Sequence, residues 1–277
     1  MSDVPELYSI PFGRSGPLVV FCHGLLGQGR NFAQVAKHLG LNGARTILLD
    51  MPNHGRSLWT EHFDYREHAD IVAEWLRSAP EVDGEPVNLV GHSMGGKIAM
   101  LVALRHPELL ERLVVADMSP VAYHGRHMFR DIVNAVRTLD VTTLKDREEA
   151  SERLRPLLPD RGIRLWVLQN LTRDGSSWRW LPNLQMLDAE LESILGWPED
   201  VRGSWDGPTL WIKGGRSDYV LPEYTPVMRS YFPATRLLTI KDSGHWVHTE
   251  QREIFTAAVE RFTIPQPTTT VTPASPR

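Results

Sequence analysis

The sequence predicts an α/β fold: a mostly parallel central sheet with helices on both faces and an inserted helical cap. Short runs rich in Val, Ile and Leu alternate with longer helical patterns, and parallel strands need helical crossovers that cover both faces. The alternation stops between Ser119 and about Asp206, where helical periodicity continues without a convincing strand. That stretch carries Trp166, Trp178, Trp180, Trp197 and Trp205. Gly-rich loops follow several of the apolar runs, where such sheets place their chemistry.

Six runs read as buried strands: Leu18–Cys22, Thr46–Asp50, Val87–Val90, Leu113–Asp117, Thr209–Lys213 and Arg236–Ile240. Tyr8–Phe12 reads as an edge strand. Tyr65–Ser78 reads as a helix with Tyr65, Ala69, Val72 and Leu76 on one stripe. Lys97–His106 is apolar almost all round, as a helix against a sheet should be, and Pro107 stops it. Arg252–Phe262 is a third helix. Residues 1–118 and 207–264 therefore form the core, and 119–206 form a helical cap over the sheet. The tail 265–277, rich in Pro, Thr and Ser, is expected to be disordered.

The chain has 277 residues, 30 Lys+Arg, 34 Asp+Glu and a formal net charge of −4. That length buries a sizeable core without staples. The mild acidity argues against a nucleic-acid groove, which needs a basic face. The single cysteine, Cys22, excludes an intramolecular disulfide and fits a reducing compartment; it reads as core packing. No uncharged apolar run reaches the roughly 18 residues of a membrane helix. The first residues, with Asp3 and Glu6, do not read as a signal peptide. A cytoplasmic protein is the expectation.

The strongest chemical signal is Gly91-His92-Ser93-Met94-Gly95, followed by Gly96. It lies between a strand and a helix, where a tight turn exposes a serine hydroxyl at the end of the sheet. Ser93 is expected to adopt a strained backbone there, with Gly91 and Gly95 keeping side chains clear. His23-Gly24-Leu25-Leu26-Gly27 leaves the strand Leu18–Cys22. The N–H groups of Leu25 and Met94 could then form a two-donor oxyanion hole. Ser243-Gly244-His245-Trp246 follows the last strand, and His245 is the candidate base, late in the chain as the Ser…acid…His order requires. His248 is a candidate supporting residue, and His92 should point into the core. His124 and His127 have the spacing of metal ligands, but no cluster supports them, so no metal or cofactor is expected.

Two carboxylates compete to hold the imidazole. Asp218 follows the strand Thr209–Lys213, and Asp117 ends the strand before it. Either strand end could bring a carboxylate to His245, fixing its tautomer and stabilising the imidazolium. Asp50 precedes the serine and is out of order. Asn53–Ser57 reads as a turn shaping the pocket floor.

The phrases HGLLG, DMPNHGRS, GHSMGG, GGRSD and SGHW, in this order over roughly residues 8–262, resemble the α/β-hydrolase superfamily. GHSMGGKIAM, ADMSPVAYH, IRLWVLQNL and GHWVH resemble, more narrowly, YbfF-type esterases and their mitochondrial abhydrolase relatives. The resemblance implies a serine esterase or thioesterase whose small helical cap, inserted after the sixth strand, is here about 119–206. It implies Ser93 as nucleophile, His245 as base, and Leu25 and Met94 as oxyanion donors. The general superfamily pattern points to Asp218. The YbfF-type relatives often lack that carboxylate and use the aspartate of a D-x-S/A-P phrase, which is Asp117 here. This chain has both, and the resemblance tips the choice toward Asp117 without closing it.

The leading reading is hydrolysis of small acyl esters or thioesters through an acyl-Ser93 intermediate. His23, Gly24, Leu26, His92 and Trp246 would line the substrate pocket. Cap residues Trp166, Leu168 and Trp178 would bury an apolar acyl chain. Arg126, Arg130 and Lys97 could meet an anionic group, though a solvated surface role fits each better. The same residues could serve lactone or C–C bond hydrolysis, cofactor-free perhydrolysis, or capture of a small ligand by a receptor of this fold. Epoxide and haloalkane hydrolysis would need a carboxylate nucleophile where Ser93 stands.

Overall fold

The computed structural model describes residues 6–123, 125 and 128–264. The tail from Pro265, His124, Arg126 and His127, each given a sequence reading above, lie outside the described residues.

Seven strands make one sheet: β1 (Ser9–Phe12), β2 (Leu18–Cys22), β3 (Arg45–Leu49), β4 (Val87–His92), β5 (Leu110–Ala116), β8 (Thr209–Gly214) and β9 (Thr235–Ile240). Their spatial order is β1-β3-β2-β4-β5-β8-β9. Only β1 runs antiparallel, on β3; the other pairs are parallel. Strands β2 and β4 are buried along their whole length; β2 therefore reads as an unbroken apolar run rather than an alternating one, and in β4 the buried Asn88 Nδ2 donates to the Leu18 carbonyl.

Successive side chains feed two cores. Val20, Cys22, Leu89 and Val115 face the core shared with α2 (Tyr65–Ser78) and α3 (Met94–Arg105). Val19, Phe21, Val90 and Val114 face the core closed by α1 (Ala33–Leu41) and α11 (Arg252–Thr263). Helix α2 starts where the Asp64 side chain accepts the Arg66 N–H, and it buries the predicted stripe Tyr65, Ala69, Val72 and Leu76. Helix α3 buries every residue from Met94 to Ala103, each large apolar side chain contributing roughly 1.5–3 kcal/mol. It begins at Met94, three residues before the expected start, so Ser93 itself is the N-cap.

The chain leaves the sheet after β5 and returns at β8. Between them lie α4 (Met128–Thr138), α5 (Arg147–Leu154), α6 (Arg161–Val167), α7 (Leu184–Ala189) and α8 (Leu191–Leu195). They share the core of α2 and α3. Two expectations are corrected here. A hairpin, β6 (Leu171–Asp174) with β7 (Ser177–Trp180), interrupts the helices. At four residues each, with Arg and Asp interspersed, these strands are too short and polar to signal themselves. The segment also follows the fifth strand rather than the sixth, because the described sheet has seven strands.

Helix α9 (Thr225–Tyr231) and helix α10 (Val247–Glu250) complete the chain. Helices α1 and α9 were not legible in advance. The first buries only Val35, Ala36 and Leu39, and the second only Met228.

Candidate active site

Ser93 sits between β4 and α3 with φ 54° and ψ −122°, a conformation that costs an L-residue on the order of 1–3 kcal/mol. The surrounding glycines make the turn possible. A Cβ on Gly91 would lie 2.3 Å from the Gly95 carbonyl oxygen, and one on Gly95 would lie 2.4 Å from that of Cys22. The turn thus jams against the end of β2, whose exit loop carries Leu25. Met94 is the first residue of α3, so its N–H has no acceptor within the helix. Neither that N–H nor the one of Leu25 has a hydrogen-bond partner among the described residues.

The loop bearing Leu25 is held by two histidines. His23 Nδ1–H donates to the Gly24 carbonyl at 2.8 Å, and its Nε2 accepts the Met51 N–H at 2.9 Å. His54 Nδ1–H donates to the Pro52 carbonyl at 3.0 Å, and its Nε2 accepts the Leu26 N–H at 3.0 Å. Both rings are therefore neutral. Burial pushes His23 down to about 4 and His54 to about 3. Asp50 anchors the neighbouring turn, accepting the N–H groups of Gly29 at 2.7 Å and Arg56 at 3.0 Å. The segment between β5 and β8 bonds to the same loops: Asn170 Nδ2 donates to the Leu26 carbonyl at 2.7 Å, and the Asn183 N–H to that of Asn53 at 3.0 Å.

Asp117 continues β5 in the left-handed region, φ 48°. Its Oδ2 accepts His245 Nδ1–H at 2.8 Å. Its Oδ1 accepts the Gly214 N–H at 2.8 Å, and the Ser217 hydroxyl also donates to Oδ2. The carboxylate is fully buried, so these donors replace its water. Asp218, the rival, is exposed. His245 stacks on Tyr219 with ring centroids 4.0 Å apart. His92 Nε2–H donates to the His245 carbonyl at 2.9 Å, and His248 packs against His92. Burial lowers His92 well below the usual imidazole range and His248 to about 3, so both are neutral. The His245 Nε2 is buried with no partner among the described residues.

Two small cavities meet at Ser93. One, about 10 Å³, is lined by His23, Gly24, His92, Trp166 and Trp246 among others; it reaches the half-buried Trp166 and Trp246. The other, about 20 Å³, runs under α8 to Lys97, Tyr65 and Tyr123, and all its lining residues are buried. Leu25 lines both; Phe129, on α4, does too. Each holds about one water.

Four readings of the pocket change. Leu26 lines neither cavity; its backbone bonds to His54 and Asn170 instead. Trp178 lines neither, because it lies on the hairpin between the guanidiniums of Arg147 and Arg173. Leu168 faces an outer groove beside Arg147. Lys97 is not a surface residue but is 1 % exposed; α3 is wrapped on all sides, so its Nζ meets carbonyls at the end of α8. Arg130 is on the surface, paired with Glu192. Tyr65, Tyr123, Phe129, Ser217 and Tyr219 were not among the site residues read from the sequence, although Tyr123 and Ser217 lie within ADMSPVAYH and GGRSD. They come from four separate stretches without a shared motif. Among the described residues no group of His, Cys, Asp and Glu could hold a metal ion.

A strand–serine–helix turn, free N–H groups beside it and a carboxylate-held imidazole define the serine-hydrolase class of site on an α/β sheet. The chain belongs to the alpha/beta hydrolase fold family, whose model matches residues 17–251. It is 35% identical to the mouse (Mus musculus) sn-1-specific diacylglycerol lipase ABHD11, over 89% of this chain and 80% of that protein. It is 32% identical to Esterase YbfF of Escherichia coli (strain K12), over 88% of this chain and 92% of that one. A solved structure described as a marine microorganism esterase is similar with a TM-score of 0.89 and 30% identity, covering 93% of this chain and 99% of that one.

Proposed function

We propose that the protein hydrolyses carboxylic esters, and thioesters of small acyl groups, with Ser93 as nucleophile, His245 as general base and Asp117 as the acid. The observation that carries this is the Asp117–His245 bond at 2.8 Å, made at the sheet end that also carries Ser93. With Nδ1 held protonated, Nε2 is the nitrogen available to take the Ser93 proton. Attack on the acyl carbon forms the Ser93 ester through an oxyanion facing the Leu25 and Met94 N–H groups. Each such donor contributes about 3 kcal/mol to barrier lowering. His245 then passes the proton to the leaving alcohol or thiol, and water repeats the sequence to free the acid. The ester-cleaving names of the mouse, bacterial and marine relatives support the substrate class. The segment 119–206 acts as the cap, and closing on Ser93 it limits the acyl group to a short one.

The test is labelling by a fluorophosphonate, with turnover of p-nitrophenyl esters alongside. The wild type should be labelled at Ser93 and should turn over acetate and butyrate esters. Ser93→Ala should lose both. Labelling that persists in Ser93→Ala removes the assignment, and stoichiometric binding without turnover replaces it with a receptor.

A further inference from the structure

The cavity beyond Ser93 whose lining residues are all buried ends on the amino group of Lys97. Lys97 Nζ donates to the Leu195 carbonyl at 2.9 Å and to the Gly196 carbonyl. It lies 4.9 Å from the ring centre of Tyr123 and 5.4 Å from that of Tyr65. Those contacts offset part of its desolvation. No carboxylate pairs with it among the described residues, and none lines the cavity. The mechanism above gives it no task. An ammonium has three donors, and the two carbonyls take two. The two tyrosine hydroxyls beside it spend theirs on the Ile194 carbonyl at 2.5 Å and the Tyr219 carbonyl at 2.6 Å. As an ammonium, Lys97 therefore offers a ligand a side-chain donor in a mostly apolar space that Ser93 and Tyr219 also line.

We propose that Lys97 is a specificity residue: the cavity seats a short acyl group whose far end carries a carboxylate, so that half-esters of dicarboxylic acids are preferred to plain acyl esters of the same length. The inference rests on Ser93 being the residue acylated. The acyl group belongs on this side because every residue that lines it is buried, whereas a departing alcohol needs the other cavity, which reaches half-buried Trp166 and Trp246. A plain alkyl chain would leave the Lys97 donor unmet and the cation without an opposite charge. A carboxylate supplies both, exchanging with the α8 carbonyls as the helix gives way. Burial alone pushes the ammonium well below lysine's ordinary value, and an anion beside it restores the charged form.

The experiment compares methyl hydrogen succinate with methyl butyrate, two four-carbon acyl groups on one leaving group, by proton release. The wild type should favour the succinate by about 10-fold or more in kcat/KM, the usual effect of one hydrogen bond to a charged group. In Lys97→Met that ratio should fall toward one. Equal or better use of the butyrate by the wild type overturns the proposal, and so does an unchanged ratio in the variant. If Lys97→Met does not fold, the wild-type ratio decides alone. Fluorophosphonate labelling separates the two claims: a labelled Ser93 without the preference removes only the role of Lys97, and an unlabelled Ser93 removes the nucleophile.

Discussion

Asp117 reaches His245 across two strand ends, its Oδ2 2.8 Å from the imidazole Nδ1, from a backbone held at φ 48°. The left-handed turn swings the side chain off β5 to where the loop after β9 places the ring. The Gly214 N–H and the Ser217 hydroxyl then fix its two oxygens. Asp117→Asn should lower kcat by about 10⁴, since an amide there selects the wrong imidazole tautomer. Ser217→Ala should cost roughly 10-fold, the worth of one hydrogen bond to a charged group. Asp218→Asn, at an exposed position, should stay within about 3-fold of the wild type. Steady-state kinetics on a p-nitrophenyl ester reads all three, and a larger loss at Asp218 than at Asp117 would reverse the assignment.

His54 lines neither cavity at Ser93, yet its Nε2 holds the N–H next to the proposed oxyanion donor Leu25. His54→Phe keeps the ring volume but frees the Leu26 N–H. The loop should then lose its aim, lowering kcat about 10-fold with little change in KM, as expected when a contact made only in the transition state is weakened. An effect confined to KM would show that the loop positions substrate instead.

Gly95 leaves no room for a methyl group, with the Cys22 and His23 carbonyl oxygens 2.4 and 2.5 Å from an ideal Cβ. Both are backbone atoms at the end of β2 and cannot swing away. Gly95→Ala should destabilise the fold by about 3 kcal/mol or more, read as a lower denaturant midpoint. A midpoint equal to the wild type would mean that the nucleophile turn tolerates far more movement than its packing implies.

Buried neutral histidines make the fold acid-sensitive. His23 sits at about 4, His54 at about 3 and His248 at about 3, all below the ordinary 6.5. As pH falls below about 6.5 the unfolded chain binds protons that these rings refuse, so stability declines until the folded values are reached. At full effect each ring accounts for about 3–5 kcal/mol. Tm should fall steadily from pH 6.5 to 4. His248→Phe, which keeps a ring against Phe32 and Phe255, should show a shallower fall. A flat Tm profile across this window would contradict the buried neutral state.

Strand positions and the glycine-flanked serine were legible in the residues because both are local. A strand buried on both faces must be an apolar run, and a strand–turn–helix corner this tight needs glycine beside the serine. The order of motifs along the chain likewise carried Ser93 and His245. Which of Asp117 and Asp218 bonds to His245 is decided by the tertiary structure alone. Both follow neighbouring strands, and their difference lies in a backbone torsion and in which carboxylate is buried against the ring. It also turned Lys97 from an expected surface cation into the end of a cavity. Helix α3 is apolar almost all round, so its residues mark it as wrapped but not by what, and the carbonyls that Lys97 meets come from residues a hundred positions later. The sequence therefore determined what chemistry is available, through groups a few residues apart. Only folding decided which distant groups are desolvated together, because burial and pairing depend on the whole chain closing around them.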